Sequence, residues 1–249
     1  MQPAIECSAV SVVYPLPRQG QRSLKMLPAA VLRRHRTHER LWALRDVSLT
    51  IERGEVAAIV GANGAGKSTL LRLLARAVRP THGRVVVRGA VAPIIDLGSG
   101  LDHEATAIEN VVLYGALLGA RPREMRSRAD DIVRWAGLEA FADVPVASFS
   151  TGMMARLAFA IATAGSPQVL LVDEVLAVGD HDFQQRSRAR IDELAQGDCT
   201  VVVVSHAVEL VAFAHRAIWL DHGRLRADGP YGETVATYLA APAGTIGEP

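Results

Sequence analysis

The glycine-rich segment between residues 61 and 69 has the residue types that bind phosphate. It reads Gly61, Ala62, Asn63, Gly64, Ala65, Gly66, Lys67, Ser68 and Thr69. Glycines let the backbone curl so that successive N–H groups face an anion, and a helix that begins there adds the partial positive charge of its N-terminus. The spacing G-x-x-x-x-G-K-S predicts that Lys67 contacts the β- and γ-phosphates of a nucleotide and that the Ser68 hydroxyl ligates Mg²⁺.

The lysine of this segment stands out against the composition of the chain. The sequence has 25 arginines and only two lysines, Lys25 and Lys67. Arginine is a planar fork of donors, whereas lysine is a compact point charge. A lysine at this position, against that bias, indicates a chemical requirement for a compact ammonium. The alternative is a glycine-rich turn that binds no ligand.

A second group of residues has the chemistry needed for hydrolysis. Four apolar residues, 169–172, are followed by Asp173 and Glu174, which predicts a buried strand that ends in two carboxylates. We expect Asp173 to hold Mg²⁺ through water and Glu174 to polarise the attacking water. The alternative is that both acids only cap the next helix.

A third segment, Phe149–Met153, contains Ser150 and Gly152 and precedes an apolar helix. Alone it would be an ordinary helix N-cap. Placed between the glycine-rich loop and Asp173, however, it resembles the Leu-Ser-Gly-Gly-Gln signature of ATP-binding cassette (ABC) ATPases. The resemblance extends over nearly the whole chain. It implies a homodimer in which Ser150 and Gly152 complete the γ-phosphate site of the opposite subunit.

The same resemblance assigns four further positions. Tyr14 is similar to the aromatic residue that stacks on adenine, His206 to the histidine that contacts the γ-phosphate, and Asp180 to the aspartate of the dimer interface. The family's glutamine, which senses Mg²⁺ and the membrane subunit, should lie between residues 90 and 110, where the sequence has no glutamine. Asp96 is the best positional substitute and is expected to reach the metal.

Further segments resemble one subgroup of the family, the ATPases that export O-antigen, capsule or teichoic acid. They are Ile95–Gly100, Glu109–Val111, Tyr114–Gly119, Phe149–Met153, Asp173–Asp180 and Trp219–Gly223. The resemblance implies an ATPase that drives export of a lipid-linked polysaccharide through a separate polytopic permease, peripheral to the cytoplasmic face of the plasma (inner) membrane.

Two other functions stay open at this point. A drug or small-molecule exporter would have favoured a glutamine at the missing position and a shorter first loop. A soluble ABC ATPase that acts on nucleic acid usually has long coiled coils or two cassettes, which this sequence lacks, so no nucleic-acid partner is expected.

The elements that must position these residues alternate between strand and helix, which predicts an α/β fold. We expect a P-loop NTPase domain of the ABC type over residues 1–241, with an antiparallel β subdomain, a helical subdomain over about residues 100–164 and a short flexible tail, 242–249. The predicted strands cover 5–14, 47–51, 55–60, 83–88, 169–172 and 200–204, with a closing hairpin near residues 218–225. The predicted helices cover 68–77, 122–135, 183–195 and 231–240.

The composition agrees with a folded domain. Of 249 residues, 49% are hydrophobic and 21% charged, which excludes an intrinsically disordered chain. No apolar run reaches the roughly 18–20 residues of a membrane-spanning helix, and residues 1–7 do not resemble a secretory signal. Two cysteines are too few for a disulfide framework and fit a reducing compartment.

An arginine-rich insertion occupies about residues 15–44. Pro28 could open a helix on which Arg33, Arg36 and Arg40 share one face at positions i, i+3 and i+7. Such a face would contact anionic lipid or the pyrophosphate of a lipid-linked polymer. The alternative is a solvated basic hairpin.

Overall fold

A computed structural model of the chain describes residues 2–16, 39–95, 100–173, 181–205 and 208–241. In these ranges the strands are β1 (Ile5–Leu16), β2 (Glu39–Ile51), β3 (Val56–Val60), β4 (His82–Val87), β5 (Val91–Ile94), β6 (Val169–Asp173), β7 (Thr200–Val204), β8 (Arg216–Asp221) and β9 (Arg224–Pro230). The helices are α1 (Lys67–Leu74), α2 (Ala107–Leu117), α3 (Pro122–Ser127), α4 (Ala129–Trp135), α5 (Thr151–Ala164), α6 (His181–Gln196) and α7 (Tyr231–Ala240).

A six-stranded sheet forms the centre of the fold, with the strand order β5-β6-β7-β3-β8-β9. All neighbouring strands in it are parallel except β9, which is antiparallel to β8. The three central strands, β6, β7 and β3, have nearly continuous apolar sequences because both of their faces are covered. One face packs against α1 and the smaller sheet, and the other packs against α5, α6 and α7.

The smaller sheet is antiparallel, with the order β2-β1-β4. Its first two strands are the arms of a long hairpin whose described ends are Leu16 and Glu39, and both arms are longer than the sequence predicts. Arg40 lies in β2, opposite Pro15, so the expectation that Arg40 shares a helix face with Arg33 and Arg36 is wrong. The other two arginines lie outside the described residues, as does Pro28.

A third hydrophobic cluster holds α2–α5 together, and its residues lie between Leu101 and Ala164. The predicted single helix 122–135 is two helices, α3 and α4, which meet at Arg128 with φ −114° and ψ 6°. The Arg128 guanidinium donates to the carbonyl oxygen of Ala164 at 3.0 Å. The helix is therefore interrupted at Arg128, whose side chain contacts the last turn of α5.

Most of the predicted elements are confirmed, and the α/β fold with them. Helix α7 has the predicted bounds, whereas α1 ends at Leu74, three residues earlier than expected. The sequence analysis missed β5, a four-residue strand at the edge of the large sheet that pairs with β6. Proline at the third position of β5 is tolerated because an edge strand needs hydrogen bonds on one side only.

Candidate nucleotide-binding site

The glycine-rich loop connects β3 to α1, as its sequence predicts. Gly61, Gly64 and Gly66 all have positive φ, and Gly66 is the N-cap of α1, without a side-chain cap. The first turn of α1 contains no acidic residue. The N–H groups and the partial positive charge of this helix end therefore face the loop without an anion from the helix itself.

Lys67 is 6% exposed and its ammonium lies inside the loop. Nζ donates to the carbonyl oxygen of Gly61 at 2.8 Å and to that of Ala62 at 3.0 Å. Burial of an ammonium is costly unless such partners are present. The first two residues of the motif thus hold the lysine by their carbonyl groups, close to the backbone that the motif presents to phosphate.

A cavity of about 310 Å³ opens above the loop. It joins the loop to the hairpin of the smaller sheet, so the structure brings Tyr14 to the phosphate-binding segment. The lining consists of Tyr14, Leu41, Trp42, Ala43, Asn63, Gly64, Gly66, Lys67, Ser68 and Thr69. Ala65, also in the loop, is buried, and its carbonyl oxygen accepts from the N–H of Gly223 at 3.0 Å.

Asp173 is the last residue of β6 and lies at the same edge of the large sheet as the loop. Its register partner on β7 is Val204, which in turn pairs with Ile59 on β3. Ser68 and Asp173 offer the oxygen ligands that Mg²⁺ prefers. The described residues contain no cluster of three or more His, Cys, Asp or Glu that could hold a metal, so a metal here would take further oxygens from a nucleotide and water.

Ser150 and Gly152 lie at the start of α5 rather than at the cavity. Ser150 is the N-cap, and its Oγ accepts from the N–H of Met153 at 3.3 Å. The first turn of α5 has no acidic residue, and a Cβ placed on Gly152 would have only the Ser150 Oγ within 4 Å, at 3.9 Å. The N-terminus of α5 is therefore accessible and does not belong to the cavity above the phosphate-binding loop.

Four predicted site residues lie outside the part of the chain that the structure describes: Asp96, Glu174, Asp180 and His206. Their neighbours in sequence are described. Asp173 precedes Glu174, and Ser205 precedes His206 at the carboxyl end of β7. The roles of all four stay predictions.

Three residues of the cavity wall, Leu41, Trp42 and Ala43, were not predicted as site residues. In sequence they are apolar residues within the arginine-rich insertion, and only the pairing of β2 with β1 brings them to the cavity. They could have been suspected from the antiparallel pairing of two successive strands, because the second strand must place some residue opposite Tyr14.

Residues 44–177 match the family model that is described as "ABC transporter". The chain belongs to the ABC transporter family. The ABC chain is 36% identical over 245 residues to the O-antigen export system ATP-binding protein RfbB of Klebsiella pneumoniae, an alignment that covers 97% of this chain and 99% of that protein. It is 43% identical over 197 residues to the ABC transporter protein AbcA of Aeromonas salmonicida, where 79% of this chain aligns.

Some relatives are longer than this cassette. The aligned region spans 64% of AbcA and 36% of the teichoic acids export ATP-binding protein TagH of Bacillus cereus, to which the cassette is 36% identical over 200 residues. Among solved structures, the dimeric post-hydrolysis state of the ATP-binding cassette MJ0796, bound to ADP and Pi, has a TM-score of 0.75 at 25% identity. That alignment covers 91% of this chain and 98% of that chain. The ABC-type fold predicted from the sequence is thereby confirmed.

In the described part of the cassette, none of the helices has the length and apolar character needed to cross a bilayer.

Proposed function

We propose that this chain is the ATP-hydrolysing subunit of an ABC transporter that exports a lipid-linked polysaccharide through a separate membrane permease. One observation carries the proposal: the cavity joins Tyr14 to the phosphate-binding loop around Lys67. It does so in a chain that aligns along 97% of its length with an O-antigen export ATP-binding protein. The cassette would act at the cytoplasmic face of the plasma membrane.

The phosphate end of the site binds the triphosphate of ATP. Backbone N–H groups of the loop and the N-terminus of α1 face the phosphates, and Lys67 exchanges its two carbonyl partners for phosphate oxygens. Ser68 and Asp173 would hold Mg²⁺, which neutralises charge that develops on the phosphates during transfer. Glu174 orients the attacking water and accepts its proton, and His206 contacts the γ-phosphate.

The site is completed by a second copy of the chain. The helix end at Ser150 and Gly152 does not line the cavity above the chain's own loop, and an accessible helix N-terminus without acids suits a γ-phosphate held by the partner. Asp180 would lie at the interface between the copies. Closure on ATP and reopening after hydrolysis would then move the permease.

Asp96 takes the place of the glutamine that the family pattern has at this position. A carboxylate can reach a metal as an amide oxygen does, and its charge would strengthen the contact. Asp96→Ala should weaken Mg²⁺-dependent hydrolysis and coupling to transport while nucleotide binding is kept. Unchanged dependence on Mg²⁺ and unchanged export would make Asp96 an ordinary loop residue.

A groove beside α2 is the proposed contact with the permease. It has a volume of about 540 Å³, and its lining has four apolar residues, three acids and one arginine: Asp102, Glu104, Ala105, Ile108, Glu109, Val112, Leu113 and Arg126. An amphipathic cytoplasmic helix of the permease with basic residues beside its apolar face would match it. Leu113→Asp should abolish export while ATP hydrolysis by the isolated subunit is unchanged.

The decisive experiment replaces the proposed base. Glu174→Gln keeps the shape of the side chain and removes its charge, so ATP should still bind while turnover falls by about 10²–10⁴-fold. Gel filtration with ATP and Mg²⁺ should then show a stable dimer. Glu139→Gln, at an exposed position of the helical region, is the matched control and should hydrolyse ATP normally. Wild-type turnover in Glu174→Gln would refute the assignment.

The substrate needs a separate test in cells. With Glu174→Gln in place of the native chain, the completed lipid-linked polymer should accumulate on the cytoplasmic side and be absent from the surface. Normal surface polymer in that strain would refute the polysaccharide assignment and leave the ATPase assignment intact.

A further inference from the structure

The end of the cavity away from the phosphate-binding loop is built by both arms of the hairpin. Tyr14 on β1 and Leu41 on β2 are direct register partners, and both line the cavity. Cross-strand partners lie on the same face of a sheet with their Cβ atoms about 5 Å apart. The two side chains are 37% and 49% exposed, which is high for a tyrosine and a leucine that share a concave wall.

An irregularity in the pairing decides which residue of β2 joins Tyr14. Val12 pairs with Leu44, but the next residue of β1, Val13, pairs with Trp42, so Ala43 is an extra residue on β2. A β-bulge of this kind inverts the alternation of side chains on one side of it. Val12 and Leu44 face the core, and after the bulge the inward face of β2 belongs to Leu41 instead of Trp42.

The ring of Trp42 is engaged on the other face of the hairpin. It stacks on His82 with a centroid separation of 6.5 Å and an interplanar angle of 23°, and the Arg45 guanidinium lies 5.3 Å from its centroid. Both contacts are made by the faces of the indole ring. Trp42 also lines the cavity, but its ring already packs against His82 and Arg45.

We propose that Leu41 is a binding residue for the nucleotide base and extends, beside Tyr14, the surface on which the base lies. The inference rests on the proposed function, because it requires a nucleoside triphosphate in the cavity. The base would stack on the tyrosine ring and cover the half-exposed leucine. Such contacts depend on area rather than on the edge of the base, so adenine and guanine gain equally from them.

The kinetics of Leu41→Ala test this assignment. The base is far from the reacting phosphate, so its contacts are equally strong before and during hydrolysis, and their loss raises KM at unchanged kcat. The base would cover about half of the leucine side chain, so its truncation should raise KM roughly 4- to 12-fold. ATP and GTP should show the same factor, and Leu41→Met should restore the native KM.

Inhibition by inorganic tripolyphosphate distinguishes a lost contact with the base from a disturbed phosphate-binding loop as the cause of a raised KM. Tripolyphosphate has the phosphates of the substrate without the base, so its inhibition constant should be the same in the wild type and in Leu41→Ala. Leu239→Ala, which truncates an exposed leucine on α7, is the matched control and should leave KM unchanged.

Two results would overturn the proposal: an unchanged KM in Leu41→Ala, with or without a raised KM in Trp42→Phe, or an equal loss of tripolyphosphate inhibition. A wild-type chain that neither binds nor hydrolyses any nucleoside triphosphate would instead refute the proposed function, and the two failures are therefore distinguishable.

Discussion

Two glycines of the phosphate-binding loop both have positive φ but very different surroundings. Gly64 has φ +81°, and a Cβ added to it would have no atom within 4 Å. Gly66 has φ +101°, and its added Cβ would lie 2.5 Å from the carbonyl oxygen of Ala43 and 3.0 Å from a methyl group of Leu44. Gly64→Ala therefore measures the cost of positive φ alone, and Gly66→Ala measures that cost together with steric overlap.

The expected magnitudes follow from these two differences. Gly64→Ala places a Cβ at positive φ and should lower the free energy of unfolding by about 1–2 kcal/mol. Gly66→Ala has a comparable backbone cost and must also displace the Ala43 carbonyl or the loop, at about 1–3 kcal/mol more. For a chain of this length each kcal/mol lowers Tm by about 2–4 °C, so Gly66→Ala should unfold about 2–12 °C below Gly64→Ala.

Thermal unfolding of the nucleotide-free variants, followed by circular dichroism, measures this difference. Gly232→Ala is the control, because Gly232 lies in α7 with ordinary φ and has no atom within 4 Å of its added Cβ. Its Tm should be unchanged or higher, since alanine favours helix over glycine by roughly 0.5–1 kcal/mol. Equal Tm values for the two loop variants would show that the contact between the loop and β2 is not tight, contrary to the structure.

Three further predictions concern single side chains. Lys67→Ala should abolish ATP binding in a fluorescent-nucleotide titration, and Lys67→Arg should weaken it because a planar guanidinium cannot replace a point charge. The N–H and hydroxyl of Thr106 donate to the Glu109 carboxylate and hold its pKa below the usual 4.5. The stabilisation from these hydrogen bonds is therefore complete above pH 4.5. It is lost as the pH falls through the lowered pKa. Glu109→Gln should therefore lose less unfolding free energy on acidification than the wild type does. Burial raises the pKa of Cys7 to about 12 and that of Cys199 to about 11, so iodoacetamide at about pH 8 should label neither thiol until urea unfolds the chain.

The strand, glycine-rich loop and helix around Lys67 were predictable because their signals are local. A buried apolar strand, a glycine-rich turn and a helix follow each other directly between Val56 and Leu74, and each element has a sequence pattern of its own. Asp173 was predictable for the same reason, as the first acid after an apolar strand. The proximity of Tyr14 to the loop came from the family resemblance, since nothing local to that strand specifies it.

The remaining features depend on pairing between distant segments. The bulge at Ala43 exists only in the register of β2 against β1, so the sequence could not show that Leu41 rather than Trp42 lies beside Tyr14. The break at Arg128 depends on a carbonyl group of α5. Strand β5 is too short to show a pattern, and it forms because β6 offers it an open edge. Arg40 fits helical spacing in sequence, yet cross-strand pairing places it in β2.

These long-range contacts also connect the two ends of the proposed nucleotide site. The carbonyl of Ala43 lies against Gly66 with no room for a methyl group, and the N–H of Arg45 donates to the carbonyl oxygen of Gly223 at 2.8 Å. The N–H of Gly223 in turn donates to Ala65 in the phosphate-binding loop. The arm that bears Leu41 is thus held against the loop that bears Lys67 at the bulge itself and two residues after it. Because a base and a triphosphate are covalently joined, the two halves of their site must keep a fixed separation, and these backbone contacts set it.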